Sequence, residues 1–153
     1  MTIRCEIVSQ DRLVYEDDVD IVVLPGEDGE MGILPHHAPL LSTLRLGVIK
    51  VRKGGEETIF TVTGGLVEVQ PDIVTILADA AENVEEIDIA RAEEARKRVQ
   101  EMMEGARKGE DLDTYLALEA ALRRSNLRLD VAQRFRSARG RVNRSTEEPG
   151  ESR

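Results

Sequence analysis

The chain is short of everything that staples, anchors or catalyses. It has one cysteine, Cys5, which rules out an internal disulfide, and no tryptophan, with aromatics at 3% of its 153 residues. No run of about 18 apolar residues appears, so nothing predicts a membrane-spanning helix. The opening MTIRCEIV lacks the apolar block of a signal peptide. Nucleotide-binding glycine motifs of the Walker or G-x-G-x-x-G kind are missing, as is a G-x-S-x-G elbow. The two histidines, His36 and His37, are adjacent, so they cannot both face one ion from a regular element, and no Cys/His spacing suits a metal. These absences weigh against catalysis by this chain alone and against a resident metal, and no cofactor is expected to be required. They point to the cytoplasm, with any membrane connection made through partners.

What remains is apolar and charged. Hydrophobic residues make up 41%, enough for a Val/Ile/Leu/Ala core in one compact domain, or one plus a small appendage. Cys5 lies in a strand-like run and is expected to be a small buried residue, not a reactive thiol. The net charge of −9 is unevenly spread. Residues 1–84 hold 6 Lys+Arg against 15 Asp+Glu, whereas 85–153 hold 15 of each. Within 121–144 eight arginines face one aspartate, a local basic stretch that points to anionic partners.

Two periodicities divide the chain. Up to about Asp79, β-branched runs at Ile3–Val8, Val19–Leu24, Gly47–Arg52, Thr58–Thr63, Leu66–Val69 and Ile73–Leu77 alternate with turn sequences such as Lys53-Gly54-Gly55-Glu56 and Gln70-Pro71-Asp72. Short strands at this spacing predict an all-β sandwich or small barrel. Gly64-Gly65 marks a bulge or a close backbone approach.

After Glu82 the period becomes helical. Asp88 is placed to cap a helix carrying Ile89, Ala92, Ala95, Val99, Met102 or Met103, and Ala106 on one face, with Gly105, Lys108 and Gly109 at its end. A second helix from about Leu112 puts Tyr115, Leu118, Leu122, Ser125, Leu129 and Ala132 on one stripe. The pair predicts an antiparallel two-helix hairpin, narrow and Ala-rich, and so the less stable part. The expected division is a β-sandwich at 1–84, a helical hairpin at 85–139 and a polar, disordered tail at 140–153.

Two local patterns carry functional meaning. Residues 25–41, PGEDGEMGILPHHAPLL, combine Gly26, Gly29 and Gly32 with Pro35 and Pro39, a specified loop that presents Glu30, Met31, His36 and His37. At the first helix, Arg91 and Arg98 lie two turns apart, and Arg124 and Arg128 share a face of the second. A closed hairpin could converge these guanidiniums on phosphate, with Asp88 and Glu82 accepting from a base or ribose. Spacing alone favours a plain helix cap with solvated or Glu93-, Glu94- and Glu119-paired arginines.

The loop resembles the G-E-L-G-I-x-P-G-H-x-P-L signature of the epsilon subunit of bacterial F-type ATP synthases. Ile87 to Ala92 resemble that family's I/L-D-x-x-R-A sequence position for position, and Tyr15–Val19, Gly64–Val69 and Val74–Asp79 are further landmarks over residues 2–136. The resemblance implies a non-catalytic rotor subunit, peripheral on the cytoplasmic face of the membrane. Its sandwich would pack on the gamma subunit, and Glu30, Met31 and His37 would meet the c-ring. Carried over by position, Glu82, Ile87, Asp88, Arg91, Ala92, Arg98, Arg124 and Arg128 become ATP contacts, with ATP as a regulatory ligand. Arg123, Arg124, Arg128 and Arg134 would form a basic helix face that inhibits by reaching the alpha and beta catalytic subunits when the hairpin extends. Departures from the family pattern are His36 where glycine is usual, a longer link over Lys108–Asp113, and the Arg-rich end from Arg134 to Arg144. Rival readings are a free-standing nucleotide-sensing module, separable by co-purification with a gamma subunit, and an RNA- or membrane-binding adaptor using 121–144, which would bind any polyanion in a salt-sensitive way.

Overall fold

A computed structural model describes residues 1–106 and 111–145, with side chains up to 141. It divides into two units, Met1–Glu86 and Ile87–Arg153, each taken by itself below.

The first unit holds ten strands, β1 (Ile3–Val8), β2 (Leu13–Val19), β3 (Ile21–Gly26), β4 (Gly29–Ile33), β5 (Leu40–Leu44), β6 (Gly47–Lys53), β7 (Glu56–Val62), β8 (Gly65–Val69), β9 (Ile73–Ala78) and β10 (Ala81–Asn83). Hydrogen bonding runs in the order β10-β7-β6-β3-β5-β8-β9-β1-β2, with β4 on β3. All pairings are antiparallel except β1 with β9, where Arg4 lies beside Ile73 and Val8 beside Leu77. The ladder folds over on itself as a β-sandwich. The Tyr15 ring of β2 packs 5.2 Å, centroid to centroid, from Phe60 of β7, and Lys53 of β6 reaches Asp17 of β2.

Period-two alternation decides which faces meet. Ile3, Cys5 and Ile7 of β1 point inward with Val67 and Val69 of β8 and Val74, Ile76 and Ala78 of β9. In β3 the consecutive Val22, Val23 and Leu24 are all buried, as befits a strand covered on both faces. The core is Val, Ile and Leu around one aromatic, Phe60.

Several boundaries differ from the sequence reading. The run Val19–Leu24 is two strands, because the chain turns at Asp20, whose amide donates to Arg52 O at 2.8 Å. The segment 25–41 is not one presenting loop. β3 continues through Gly26, and Glu27-Asp28 turn the chain into β4, registered as Leu24 opposite Met31 and Pro25 opposite Glu30. Strand β4 has two glycines in five residues and β2 has three acids in seven, so neither carries a β-branched signature. Ladder bonds to β3 and β1 impose the extended form instead. The approach marked by Gly64-Gly65 is real. Gly65 has φ 141°, and a Cβ there would stand 2.2 Å from Leu77 O.

The second unit is an antiparallel pair, α1 (Ile89–Ala106) and α2 (Leu112–Ser145). Its buried stripe is Ala92, Met103 and Ala106 against Leu129 and Ala132, with Ala95, Val99, Tyr115, Leu118, Leu122 and Ser125 half-buried. Met103, not Met102, takes the inward position, and Met102 is 57% exposed. Gly105 lies inside α1, while Lys108 and Gly109 fall outside the described residues. A helix end at 139 is corrected, because α2 runs on to Ser145. One interior glycine costs only about 1 kcal/mol, and Arg141 Nε reaches back across Gly140 to Ser137 O at 3.5 Å. The remainder of the expected tail, 146–153, lies outside the described residues.

Candidate functional site

Both helices open on an aspartate. Asp88 Oδ1 accepts from the Arg91 amide at 3.2 Å, and its carbonyl accepts from Ala92 N at 3.0 Å, starting α1. Asp111 does the same for α2, its Oδ1 accepting from Thr114 N at 2.8 Å and its carbonyl from Tyr115 N at 3.2 Å. That bond from the Thr114 amide holds the Asp111 carboxyl below its ordinary range. The second cap was not anticipated, although an Asp three residues before a Thr-Tyr pair is a readable start signal.

The residues expected to bind nucleotide divide by unit. Glu82 lies half-buried in β10, opposite Thr61. In the hairpin, Ile87 and Ala92 are buried, Asp88, Arg91, Arg98 and Arg124 are exposed, and Arg128 is half-buried. Two contacts fix the helix register. Gln133 Nε2 donates to Glu93 Oε1 at 3.4 Å, and Arg136 Nη2 donates to Ile87 O at 2.9 Å. Equal steps from Glu93 and Gln133 toward the turn bring Arg98 level with Arg128. Helical angles of 100° per residue put Arg91, Arg98, Arg124 and Arg128 on the same flank of the apolar seam. Along α1, Arg91 and Arg98 are separated by roughly 10 Å. Such a flank can cradle a chain of phosphates near the positive dipole end of α1, whose Arg91 and Ala92 amides are taken by Asp88. Arg136, absent from the expected set, is tied to the backbone of this segment, and no short-range pattern announces it.

The basic residues Arg123, Arg124 and Arg134 are exposed, and Arg134 pairs with Asp130 at 3.0 Å. In the first unit, Glu30 is exposed on β4, and Met31 is half-buried on the core, under Gly26. Pro35 leads into a turn at His36, a non-glycine residue with φ 64°. His36 N donates to Pro71 O at 2.8 Å. His37 Nδ1 lies 2.7 Å from Ala38 O, a carbonyl that can only accept. Among the described residues no group of three His, Cys, Asp or Glu side chains is gathered as for a metal. No helix among them is long and apolar enough to cross a membrane.

Comparison with known proteins bears on both units. Residues 2–84 match the model of the ATP synthase delta/epsilon chain β-sandwich domain, and 85–133 that of the delta/epsilon chain long α-helix domain. The ATP synthase epsilon chain of Dehalococcoides mccartyi is 48% identical over 140 residues, covering 88% of this chain and 94% of that protein. The epsilon chain of Halalkalibacterium halodurans is 44% identical over 133 residues, covering 87% and 98%. Among solved structures, a chain of the Euglena gracilis mitochondrial ATP synthase OSCP/F1/c-ring assembly superposes with a TM-score of 0.70 at 24% identity, covering 86% of this chain and 81% of that one. A chain of the Tetrahymena thermophila mitochondrial central stalk and c-ring gives 0.55 at 13%, covering 86% and 97%; at such identities these two attest the fold. With both units matched in order and bacterial epsilon chains similar over most of its length, the chain belongs to the ATP synthase delta/epsilon family, on its bacterial epsilon branch.

Proposed function

We propose that this chain is a non-catalytic central-stalk subunit that links the catalytic head of a proton-translocating ATP synthase to its c-ring and restrains ATP hydrolysis through an ATP-responsive hairpin. The observation that carries the reading is the division of labour between the units. A densely packed ten-stranded sandwich suits torque transmission. A separate hairpin whose seam is built on Ala92, Ala106, Ala132, Met103 and Leu129 buries little and suits switching.

Docking to a gamma subunit has support in the sandwich surface. Register places Leu66 beside Leu77, Leu77 beside Val8 and Val8 beside Leu13 across four neighbouring strands. Leu13, Leu66 and Leu77 are 53%, 45% and 53% exposed, an apolar row that suits a protein partner. Glu30 and Met31 lie on β4 and His37 follows the turn after it, and this reading gives them the polar loops of the c-ring. The complex would hold the chain peripherally on the cytoplasmic face of the membrane.

In the closed hairpin, Asp88, Arg91, Arg98, Arg124 and Arg128, with Ile87 and Ala92, bind ATP. Opened, the basic face of Arg123, Arg124, Arg128 and Arg134 reaches acidic segments of the alpha and beta subunits and blocks rotation. Binding ATP in one state alone shifts the balance by about 2.7 kcal/mol at a hundredfold excess over Kd. Calorimetric titration of ATP into the whole chain tests this, with Asp88→Ala and Arg91→Ala as controls. Saturable binding lost in both variants supports the switch. Silence up to millimolar ATP leaves the stalk role and reduces Ile87–Ala92 to a helix cap.

A further inference from the structure

The bond from Arg136 Nη2 to Ile87 O joins residues 49 apart in sequence and is part-buried. Its acceptor has a reason to need it. The first backbone bond of α1 runs from Ala92 N to Asp88 O, so the Ile87 carbonyl lies one residue outside the helical ladder. Ile87 is itself 1% exposed, and a carbonyl in that setting is costly to leave unmade. The guanidinium supplies a charge-assisted bond at 2.9 Å.

The donor's position is equally telling. On α2 the inward stripe steps from Leu122 to Ser125, Leu129 and Ala132, and then to half-buried Phe135, with exposed Arg136 beside it one turn from Ala132. Phe135 continues the apolar stripe, while the Arg136 head turns onto the backbone where α1 begins. The contact lies past residue 133, where the family's helical-domain match stops. It belongs to the part of α2 that runs on to Ser145. Gln133, one turn back, reinforces it at Glu93.

We propose that Arg136 is a positioning residue that clasps the Ile87–Ala92 segment to the far end of α2, holding the nucleotide-binding end of α1 in shape and opposing opening of the hairpin. The nucleotide half of this inference rests on the function proposed above. The clasp itself does not. Because Ile87 adjoins Asp88 and Arg91, losing the clasp frees the residues expected to receive ATP without removing any of them. It also gives the basic extension a definite role. The extension lengthens the hairpin's lever and locks its end.

Hydrogen exchange on the whole chain without nucleotide separates the two halves. Arg136→Met keeps the stem and removes the donors, and Arg136→Lys keeps the charge on a smaller donor head. Arg134→Met is the control, since Arg134 pairs with Asp130 on its own helix. The clasp predicts that amide exchange at Arg91 and Ala92 quickens about tenfold in Arg136→Met, recovers in part in Arg136→Lys and is unchanged in Arg134→Met. Equal exchange in Arg136→Met and the unaltered chain, or equal acceleration by Arg134→Met, overturns it. In ATP calorimetry, Arg136→Met should weaken binding several-fold and Arg136→Lys less. If the unaltered chain binds no ATP while the exchange difference stands, the nucleotide reading fails and the clasp survives. If ATP binds but Arg136→Met binds it equally, the positioning role is wrong.

Discussion

The amide of His36 donates to the carbonyl of Pro71 at 2.8 Å, pinning the turn after β4 to the link between β8 and β9. To make that bond His36 adopts φ 64°, the left-handed region where glycine, not histidine, is at ease. The family pattern has glycine at this place, and the turn survives the exchange because the backbone bond over-determines it. A left-handed residue with a Cβ costs roughly 1–2 kcal/mol, partly offset by the looser unfolded chain that glycine brings. His36→Gly should therefore leave stability unchanged or raise it by up to about 1 kcal/mol, and β-branched His36→Val should lower it by about 2 kcal/mol. Urea denaturation of the three proteins checks the order; a valine variant as stable as the parent would show that the turn is not held left-handed.

Gly65 is the other backbone constraint. It sits opposite Ala78 in the β8–β9 ladder, with φ 141° and room for no Cβ, since one would lie 2.2 Å from Leu77 O and 2.9 Å from Ala78 Cα. Those atoms are backbone and cannot swing aside. Gly65→Ala should cost about 3 kcal/mol or more, or prevent folding. By contrast, Gly55→Ala tests φ alone, because nothing lies within 4 Å of a Cβ there. Its φ of 84° should cost only about 1 kcal/mol. Equal losses in the two variants would refute the close approach.

These two positions mark where the sequence could and could not be read. The Ile-Arg-Cys-Glu-Ile-Val alternation defines β1 to the residue, and Asp88 reads directly as a cap, because each rests on neighbours in sequence. Strands β4 and β10 escape detection because their extended form is imposed by β3 and β7 and not by their own side chains. Gly140 misleads in the opposite sense. Its low helix propensity is outweighed by the turns on either side, and α2 passes through it. The site follows the same rule. That Arg124 and Arg128 share a face is a matter of period, whereas the bond from Arg136 to Ile87 joins distant segments and no local pattern encodes it.

Cys5 lies fully buried between Ile3 and Ile7 on the inner face of β1. Burial pushes its thiol up to about 12, with the charge of Glu6 adding to the effect, so almost no thiolate exists at neutral pH. A chromogenic disulfide reagent at pH 8 should label the native chain more than about a thousandfold more slowly than the chain in strong guanidinium, at the rate of local opening. Labelling of the folded protein as fast as a small free thiol would mean that β1 is not seated between β9 and β2.

Lys53 and Asp17 tie β6 to β2 across the sandwich, with Nζ at 2.7 Å from one carboxylate oxygen and 2.8 Å from the other. The hydrogen bond from Lys53, aided by the Asp18 amide, lowers the Asp17 carboxyl below its ordinary range. A carboxyl depressed in the folded state contributes stability above its unfolded value, about 3.9, and loses that contribution as pH falls through the lower folded value. The gap in melting temperature between the parent and Asp17→Asn should therefore be fully open at pH 6 and shrink steadily below about pH 4. Both groups are largely solvated, so high salt should also narrow the gap. Lys53→Met should show the same pH profile as Asp17→Asn, and the double variant should lose no more than the sum of the two. A gap that instead widens in acid would mean that folding raises the Asp17 carboxyl rather than lowering it, and would remove the Lys53–Asp17 tie between β2 and β6 from what keeps the sandwich closed.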